Sequence, residues 1–337
     1  MAEKSPVEPI HVHFVLLPDS LILDWAGPAE ALRMANQALQ LRGEGPAFIL
    51  HFVSPAAQTR SSVGACISGL ITLPDTGVLA QGSHWIVLVG QAGASIELDS
   101  PGARVVLHWL RALRLQTGRL ELVCICSGAI IAARAGLLAQ HRVTTHHQHL
   151  DELRNTEPAC DVVQNRVFVI DTPVCTSAGV TTGLDLMLYR IGQTCGPVLA
   201  AQVAQTMVLP LRRGPHDPEL SPFLQHRNHL HPAVHRVQDA VGEQPRKDWT
   251  LPRMAQIAFV TPRHLGRLFA EHAHTTPQNY VRNIRLALSE HALKMGKNVQ
   301  QAADIAGFHS DTQLRRAWHA AGKIGTPSAC ASQSLKL

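Results

Sequence analysis

One pattern of residues occurs twice near the C-terminus, and it constrains the fold of this chain more than any other feature of the sequence. The first copy consists of Leu251, Met254, Ala255, Ala258, Val260, Thr261, Leu265, Arg267 and Phe269. The second consists of Val299, Ala302, Ala303, Ala306, Phe308, Ser310, Leu314, Arg316 and Trp318, offset by 48 residues up to Val260/Phe308 and by 49 from Thr261/Ser310 onward. Each copy predicts a short helix, a tight turn with one hydrophobic plug, and a second helix that begins after a hydroxyl N-cap. This is the helix-turn-helix plan, in which the second helix lies in the major groove of DNA.

The second helix of the first copy has a clear start and two distinct faces. Thr261 can cap the free N–H groups of the helix, and Pro262 stands at its first position, where a missing N–H costs nothing. An apolar stripe follows at helical spacing, made of Leu265, Leu268 and Phe269. The opposite face carries Arg263, His264, Gly266 and Arg267.

The second copy repeats this arrangement. Ser310 is its predicted cap, and the outward residues of its second helix are Asp311, Thr312, Arg315 and Arg316. The alternative is an ordinary helical bundle with charged outer faces, because helix-turn-helix units also occur as packing motifs. Two copies in matching register favour the DNA-binding interpretation.

The distribution of charge gives an independent test. After Gln225 there are fifteen Lys and Arg residues against seven Asp and Glu, a net charge of about +8, whereas residues 1–225 carry about −3. A basic stretch is commonly only a solvated surface. Here the positive excess falls on the segment with the repeat, as phosphate binding requires.

Length and composition predict a folded protein of two or three domains. The N-terminus has no apolar segment of the signal-peptide kind, and no apolar run approaches the roughly 18 residues of a membrane span. Seven scattered cysteines indicate a reducing compartment, so we expect a cytoplasmic protein. Prolines and histidines between the two charge zones predict a linker over 206–228, which separates a domain at 1–205 from one at 229–332 with helix-turn-helix units at about 250–272 and 298–320.

The first 200 residues alternate between predicted strands and helices. Strands are predicted at 11–17, 48–54, 85–89, 120–126, 167–171 and 174–176, and helices at 28–41, 101–116, 127–135 and 179–192. This alternation predicts an α/β three-layer sandwich, flavodoxin-like, with a mainly parallel sheet.

Cys126 stands where an apolar strand runs directly into a helix of small residues. A side chain at such a turn is exposed to the free N–H groups and the positive dipole end of the helix, which favour a thiolate. The alternative is a buried, inert cysteine, and Cys124, inside the strand, fits that alternative better.

Two further positions are candidates for the same site. Asp24 is expected in the loop after the first strand, which opens at the carboxyl edge of the sheet, where it could face Cys126. It could equally cap the helix predicted to begin at Pro28. His146, in Thr144-Thr-His146-His147-Gln-His149, could line this pocket; these histidines lack the spacing of a zinc site, and no metal is expected.

The C-terminal residues resemble the AraC/XylS regulators of bacteria. The resemblance rests on the double helix-turn-helix, the Pro-Arg-His-Leu-x-Arg-Leu-Phe stretch at 262–269, Thr276-Pro277-x-x-Tyr280 and Ala303-x-x-Ala306-Gly307-Phe308. The first 200 residues resemble the PfpI-like branch of the glutamine amidotransferase-like superfamily, through Leu23-Asp24-x-Ala-Gly-Pro28, Cys126-Ser-Gly128-Ala, Thr144-Thr-His146 and Thr176-Ser-Ala-Gly179-Val. In this order the two domains resemble the GlxA-type transcriptional regulators.

The resemblance implies a ligand-responsive transcription factor that binds promoter or operator DNA. Base and backbone contacts would come from Arg263, His264, Arg267, Asp311, Thr312, Arg315 and Arg316. The N-terminal domain would mediate homodimerisation and bind a small effector, such as an amino acid, an amine or a betaine, at Asp24, Gly90, Cys126, Ser127 and His146. No enzymatic activity, cofactor or membrane partner is expected. The alternative is a hydrolase or hydratase that depends on Cys126.

Three departures from the family pattern bear on these expectations. Gly266 replaces a side chain that contacts DNA, and Gly90-Gln-Ala-Gly93 replaces a Gly-Gly pair in the loop of an oxyanion-type pocket. After Trp318 the closing pattern of the family is lost. The last departure predicts a loosely packed final helix in the second helix-turn-helix unit.

Overall fold

The computed structural model describes residues 8–93, 96, 98–209, 213–215, 226–227, 229–323 and 325–334. Contacts within the chain divide it into two compact units, Met1–Glu219 and Leu220–Leu337. We call them the N-terminal and C-terminal units and describe each by itself. The predicted linker at 206–228 falls largely outside the described residues.

Six strands of the N-terminal unit form one sheet. The strands of this unit are β1 (Ile10–Val15), β2 (Phe48–Val53), β3 (Gln58–Arg60), β4 (Cys66–Ser68), β5 (Ser83–Leu88), β6 (Leu120–Ile125), β7 (Arg142–Val143), β8 (Asp161–Val162), β9 (Phe168–Asp171) and β10 (Val174–Ser177). The main sheet has the order β2-β1-β5-β6-β10-β9, in which only β9 pairs antiparallel. Strands β3 and β4, and β7 and β8, form two small separate sheets.

Helices cover both faces of the sheet. They are α1 (Ile22–Gln40), α2 (Thr76–Leu79), α3 (Pro101–Ala112), α4 (Gly128–Arg134), α5 (Leu150–Thr156), α6 (Thr181–Cys195) and α7 (Pro197–Thr206), with a short 3-10 helix at His147–His149. Helices α1, α6 and α7 share one hydrophobic core with the sheet, and α3 and α4 share the other. This architecture confirms the predicted three-layer sandwich with a mainly parallel sheet.

The predicted start of the first helix in this unit is wrong. Helix α1 begins at Ile22 rather than at Pro28, so Asp24 lies in its first turn and not in a loop. Proline is favoured at the start of a helix, which is why the sequence pointed to Pro28. Here it lies inside the helix, where it leaves one carbonyl without its usual N–H donor.

The C-terminal unit is helical. Its helices are α8 (Pro232–Glu243), α9 (Leu251–Ala258), α10 (Pro262–Ala273), α11 (Pro277–Lys294), α12 (Val299–Ala306), α13 (Asp311–Ala320) and α14 (Pro327–Ser334). One hydrophobic core is formed by α8, α9, α10 and α11, and a second is formed by α11, α12 and α13. Helix α11 therefore takes part in both cores. No helix in the described part of the chain is long and apolar enough to cross a membrane.

The end of the chain packs better than its irregular sequence predicts. Leu314 and Trp318 of α13 are buried, and the Trp318 indole N–H donates to the Gly325 carbonyl at 3.2 Å. Cys330 of α14 packs against the same core. The expectation of a loosely packed final helix is therefore wrong, because a different segment supplies the contacts.

Candidate nucleic-acid interface and candidate small-molecule site

The first repeat consists of α9, a turn and α10. Thr261 caps α10 by accepting a hydrogen bond from the His264 N–H at 3.3 Å. Leu265 and Phe269 are fully buried in the core below. Burial of this stripe fixes which face of α10 is left for a partner.

The outer face of α10 presents exposed cationic side chains. Arg263 and Arg267 are exposed, and a guanidinium nitrogen of Arg267 lies 3.2 Å from Nδ1 of His264. Gly266 lies between them, and a Cβ added there would meet no atom within 4 Å. The helix can therefore approach another surface closely along this face.

The second repeat consists of α12, a turn and α13. A reciprocal capping box between Asn298 and Gln301 starts α12, and Gly307 ends it with a φ of +84°. Ser310 caps α13 by accepting a hydrogen bond from the Gln313 N–H at 3.1 Å. Both repeats thus form the two-helix units that the sequence predicts.

The outer face of α13 is more restrained than that of α10. The Arg315 guanidinium lies 3.5 Å from a carboxylate oxygen of Asp311 and donates to the Ser328 hydroxyl at 3.3 Å. Thr312 and Arg316 remain exposed. Sequence reasoning missed Ser328, because its helix lies beyond the repeat.

Helix α11 holds the two repeats apart. Its 18 residues span about 27 Å at about 1.5 Å per residue. The Arg285 guanidinium anchors this helix by donating to the Pro245 and Lys247 carbonyls at 3.0 and 2.8 Å. The second helices of both repeats, α10 and α13, pack against this helix.

In the N-terminal unit, Cys126 forms a sharp elbow between β6 and α4. Its φ is +57°, an uncommon conformation for a residue with a side chain, and its N–H donates to the Ser177 carbonyl at 3.0 Å. Only 4% of Cys126 is exposed. Strain of this kind at the end of a strand is typical of functional sites.

The carboxylate of Asp24 holds three segments together at this elbow. It accepts hydrogen bonds from the Gly90 N–H at 3.0 Å and from the Val180 N–H at 2.8 Å, and it also bonds the Cys126 thiol. Burial raises the pKa of Asp24 to about 6, although these three hydrogen bonds oppose the rise. The side chain is fully buried, so it positions the elbow rather than offering a free carboxylate to solvent.

Two glycines permit the close packing around Cys126. A Cβ at Gly90 would lie 2.7 Å from a carboxylate oxygen of Asp24 and 3.0 Å from the Ser127 hydroxyl oxygen. A Cβ at Gly179, whose φ is +93°, would lie 2.2 Å from the Cβ of Cys126. No other residue fits either position without displacing the elbow.

The backbone N–H groups of the loop after β5 are already occupied. Gly90 donates to Asp24, and Gln91 donates to the Ser127 hydroxyl at 3.1 Å. An oxyanion site needs such groups free and aimed at the reacting atom. The altered Gly-Gln-Ala-Gly sequence therefore forms a closed loop rather than a prepared anion site.

His146 lies beside the elbow but outside its hydrogen-bond network. The Thr145 hydroxyl donates to the Cys126 carbonyl at 2.8 Å, which places the next residue, His146, at the rim. His146 is half-buried, and burial lowers its pKa to about 4. Sequence reasoning did not assign roles to Thr145 and Val180, although both stand within the motifs that drew attention to this region.

Two family models match the chain. The model of a helix-turn-helix domain matches residues 254–323, and that of the DJ-1/PfpI family matches residues 38–193. Among solved structures, a THiJ/PfpI family protein from Pseudomonas syringae is similar with 19% identity and a TM-score of 0.50, covering 72% of this chain and 90% of that one. This last likeness concerns the fold alone.

Curated relatives match nearly the whole chain. The HTH-type transcriptional regulator CdhR of Pseudomonas aeruginosa is 30% identical, over 91% of this chain and 87% of its own length. The HTH-type transcriptional regulator GlxA of Rhizobium meliloti is 26% identical, over 91% of each chain. The HTH-type transcriptional regulator GbdR of Pseudomonas aeruginosa is 27% identical, over 92% of this chain and 81% of its own length.

Proposed function

Because the chain belongs to the GlxA-type transcriptional regulators, which join a DJ-1/PfpI domain to an AraC-type helix-turn-helix domain, we propose that it binds one promoter through both repeats under the control of a small effector. One observation carries this proposal. Two capped helices with outward arginines, α10 and α13, both pack against α11, in the C-terminal third of the chain, which carries a net charge of about +8. This is the arrangement that two successive major grooves accommodate.

The first repeat supplies the main contacts to bases. Arg263 and Arg267 are exposed on α10, and a bidentate arginine to guanine contributes about 1–3 kcal/mol of discrimination. His264 stands beside Arg267 and completes this face. In the second repeat, Asp311, Thr312 and Arg315 face the bases, and Arg316 lies nearer the DNA backbone.

A titration of full-length protein against a labelled duplex from the region upstream of its own gene tests this assignment. We expect the logarithm of the affinity to fall linearly with that of the salt concentration. The double variant Arg263→Ala/Arg267→Ala should lose most specific binding, whereas Arg33→Ala, at an exposed arginine of the N-terminal unit, should not. Folded wild-type protein that gives no complex at low salt would refute the proposal.

The effector binds at the Cys126 elbow. In open parallel sheets ligands bind at the carboxyl ends of the strands, where Cys126 follows β6. Cys126 and half-buried His146 would contact the effector, while Asp24, Gly90 and the fully buried Ser127 fix the shape of the elbow. An amino acid, an amine or a betaine is the expected class of ligand.

The same elbow serves binding rather than catalysis. Asp24 bonds the thiol and could act as a base, yet the N–H groups of Gly90 and Gln91 both donate to side chains of the protein itself. A tetrahedral anion on a substrate would lack these donors. This argues for a sensor and against the Cys126-dependent hydrolase.

Thermal unfolding in the presence of single amino acids, amines and betaines identifies the effector. A ligand at 100 times its dissociation constant stabilises the fold by about 2.7 kcal/mol. Cys126→Ser should abolish the shift, and Cys66→Ser, at an exposed cysteine, should keep it. Turnover of the stabilising compound that is lost in Cys126→Ser would instead establish the enzyme.

Three further assignments accompany this proposed function: the oligomeric state, the cellular location and the domain boundaries. The protein would be a homodimer through its N-terminal domain, and it would act in the cytoplasm at the nucleoid. Its domains would be 1–205 and 229–332, joined by 206–228. Sedimentation equilibrium of the full chain tests the first of these assignments, and limited proteolysis, expected to cut between the domains, tests the boundaries.

A further inference from the structure

Four histidines lie on one face of the sheet in the N-terminal unit. His11 and His13 belong to β1, His51 to β2 and His84 to β5, and in the strand register His11 pairs with His84 and His13 with His51. Laterally paired residues of parallel strands point to the same side, so all four rings meet. We call them the histidine cluster.

The imidazoles of this cluster are in direct contact. Nδ1 of His11 lies 2.9 Å from Nε2 of His51, and Nε2 of His13 lies 3.0 Å from Nδ1 of His84. The ring centroids of His13 and His51 are 4.7 Å apart. Four side chains from three strands thus place their ring nitrogens within one small volume.

His13 occupies the inner end of the cluster. It is only 4% exposed, and its Nδ1 has no hydrogen-bond partner among the described residues. An unpaired polar atom at such a depth costs free energy.

A cavity of about 800 Å³ opens onto the cluster. The four histidines line one side of it, and the rest is lined by Glu8, Pro9, Val53 and residues of the segment between Ile71 and Gly82. The cavity gives an ion or small molecule access to the rings. It lies away from the elbow, because Cys126 follows the carboxyl end of β6 whereas His11 and His84 stand near the beginnings of their strands.

From this geometry we propose that the histidine cluster binds a divalent transition-metal ion of the zinc class. Imidazole nitrogen is a preferred ligand of Zn²⁺, Ni²⁺ and Cu²⁺. In a tetrahedral zinc site with bonds of about 2.0–2.1 Å, two ligand nitrogens stand about 3.3 Å apart. The two N···N pairs, at 2.9 and 3.0 Å, are within a few tenths of an ångström of that separation.

Metal binding would exchange one set of contacts for another. Among the described residues, no three His, Cys, Asp or Glu side chains already surround a common point as metal ligands. The four rings instead bond one another in pairs, and they would rotate so that the paired nitrogens face one ion. The ion replaces the two N···N hydrogen bonds.

The electrostatic state of the rings suits a metal ion. Burial and the neighbouring histidines lower the pKa of His13 to about 3, and burial also lowers the pKa values of His51 and His84. Neutral imidazole is the form that ligates metals. The same neutrality disfavours an anionic ligand, which would require the rings to gain protons.

Metal stoichiometry of the full-length protein tests the proposal. The chain is stripped with a chelator, equilibrated with Zn²⁺ and measured by atomic emission. The wild-type protein is expected to hold one equivalent of zinc more than the His13→Asn/His84→Asn variant. The control His146→Asn/His147→Asn, whose ring centroids are 4.1 Å apart, should bind as wild type does.

A second variant keeps the test decisive. His11 and His51 are partly exposed, so His11→Asn/His51→Asn should fold even where the buried pair fails, and it should lose the same equivalent. All variants keep the histidines between 226 and 274, so any zinc that these residues bind contributes equally to every measurement. Equal zinc contents in wild type and the His11/His51 variant would overturn the proposal.

Replacement of Zn²⁺ by Co²⁺ supplies an independent readout. Tetrahedral nitrogen coordination of Co²⁺ gives visible absorption bands that octahedral aqueous Co²⁺ shows only weakly. The bands are expected in wild type and in the His146/His147 control and should be absent from the His11/His51 variant. Their persistence in that variant would place the metal elsewhere.

Discussion

The two repeats of the C-terminal unit follow one pattern but differ in how their first helices end. In the second repeat, Gly307 adopts the left-handed conformation, and a Cβ there would lie 2.6 Å from the Cα of Arg246. In the first repeat, Phe259 adopts the same conformation, with a φ of +57° and 83% exposure. The backbone geometry is conserved between the repeats, whereas the need for glycine is set by what packs against the turn.

The repeats also differ on the faces offered to DNA. Among the described residues, Arg263 and Arg267 of the first repeat form no ion pair, and Arg267 contacts only the His264 ring, whereas Arg315 of the second repeat is held by Asp311 and Ser328. An arginine that is already bonded must give up these contacts before it binds a base. The first repeat is therefore the stronger candidate for the main DNA anchor, for a reason that the sequence did not reveal.

The largest expected difference between the repeats concerns their turns. Gly307→Ala should lower the local stability of α12 and α13 by about 3 kcal/mol, because a left-handed alanine and a clash with Arg246 add together. Phe259→Ala, at the equivalent turn, should change the stability of α9 and α10 by less than about 0.5 kcal/mol, as expected for an exposed site. Hydrogen exchange of the four helices in the full chain measures both. Equal losses would show that the turns are equivalent after all.

The next difference concerns affinity for DNA. Arg263→Ala should weaken specific binding by about fivefold to 150-fold, the equivalent of about 1–3 kcal/mol for an arginine to guanine. Arg315→Ala should weaken binding less. In the wild type, Arg315 must give up its contacts with Asp311 and Ser328 before it binds DNA, and this cost reduces its net contribution to the affinity. Fluorescence anisotropy with one duplex ranks the two. A greater loss in Arg315→Ala would reverse the assignment of the main anchor.

A smaller effect is expected from the glycine in the first recognition helix. Gly266→Ala should stabilise α10 by about 1 kcal/mol, the difference between glycine and alanine inside a helix, because an added Cβ meets no atom within 4 Å. Hydrogen exchange of α10 checks the gain. The same substitution should leave DNA affinity unchanged within about twofold, and a marked loss would mean that DNA approaches the helix at this residue.

The smallest effect should follow from releasing Arg315. Ser328→Ala removes a hydroxyl that accepts from both terminal nitrogens of Arg315. Exposed contacts of this kind contribute about 0.2–1 kcal/mol, so DNA affinity should rise by about fivefold at most. The same anisotropy assay detects it, with Ser62→Ala, in the N-terminal unit, as a control. Unchanged affinity would mean that Ser328 does not restrain Arg315.

Much of the C-terminal unit was predictable because its signals are local. Thr261, Pro262 and Ser310 mark helix starts within a few residues, and all three do so in the structure. The packing of Trp318 against the Gly325 carbonyl was not predictable, since it depends on a segment that departs from the repeat. A segment that departs from the sequence pattern of a repeat can still bury the side chains of that repeat.

The N-terminal site was predictable only in outline. The strand-to-helix junction at Cys126 can be read from the sequence, but the placement of Asp24 in a helix cannot, because Pro28 favours a later start. The histidine cluster depends on the register between three strands. Its one local signal is the alternation of His11 and His13 within a strand that is otherwise apolar.

The carboxylate of Asp24 has a consequence for the order of folding. Its two backbone donors lie 66 and 156 residues further along the chain, so no local segment can assemble the elbow. During synthesis the carboxylate lacks its last donor until Val180 has left the ribosome. Closing such long loops is slow compared with forming helices. The elbow therefore forms only after the chain has been made as far as Val180, and a chain cut before Val180 would carry the other residues of the proposed effector site without being able to build it.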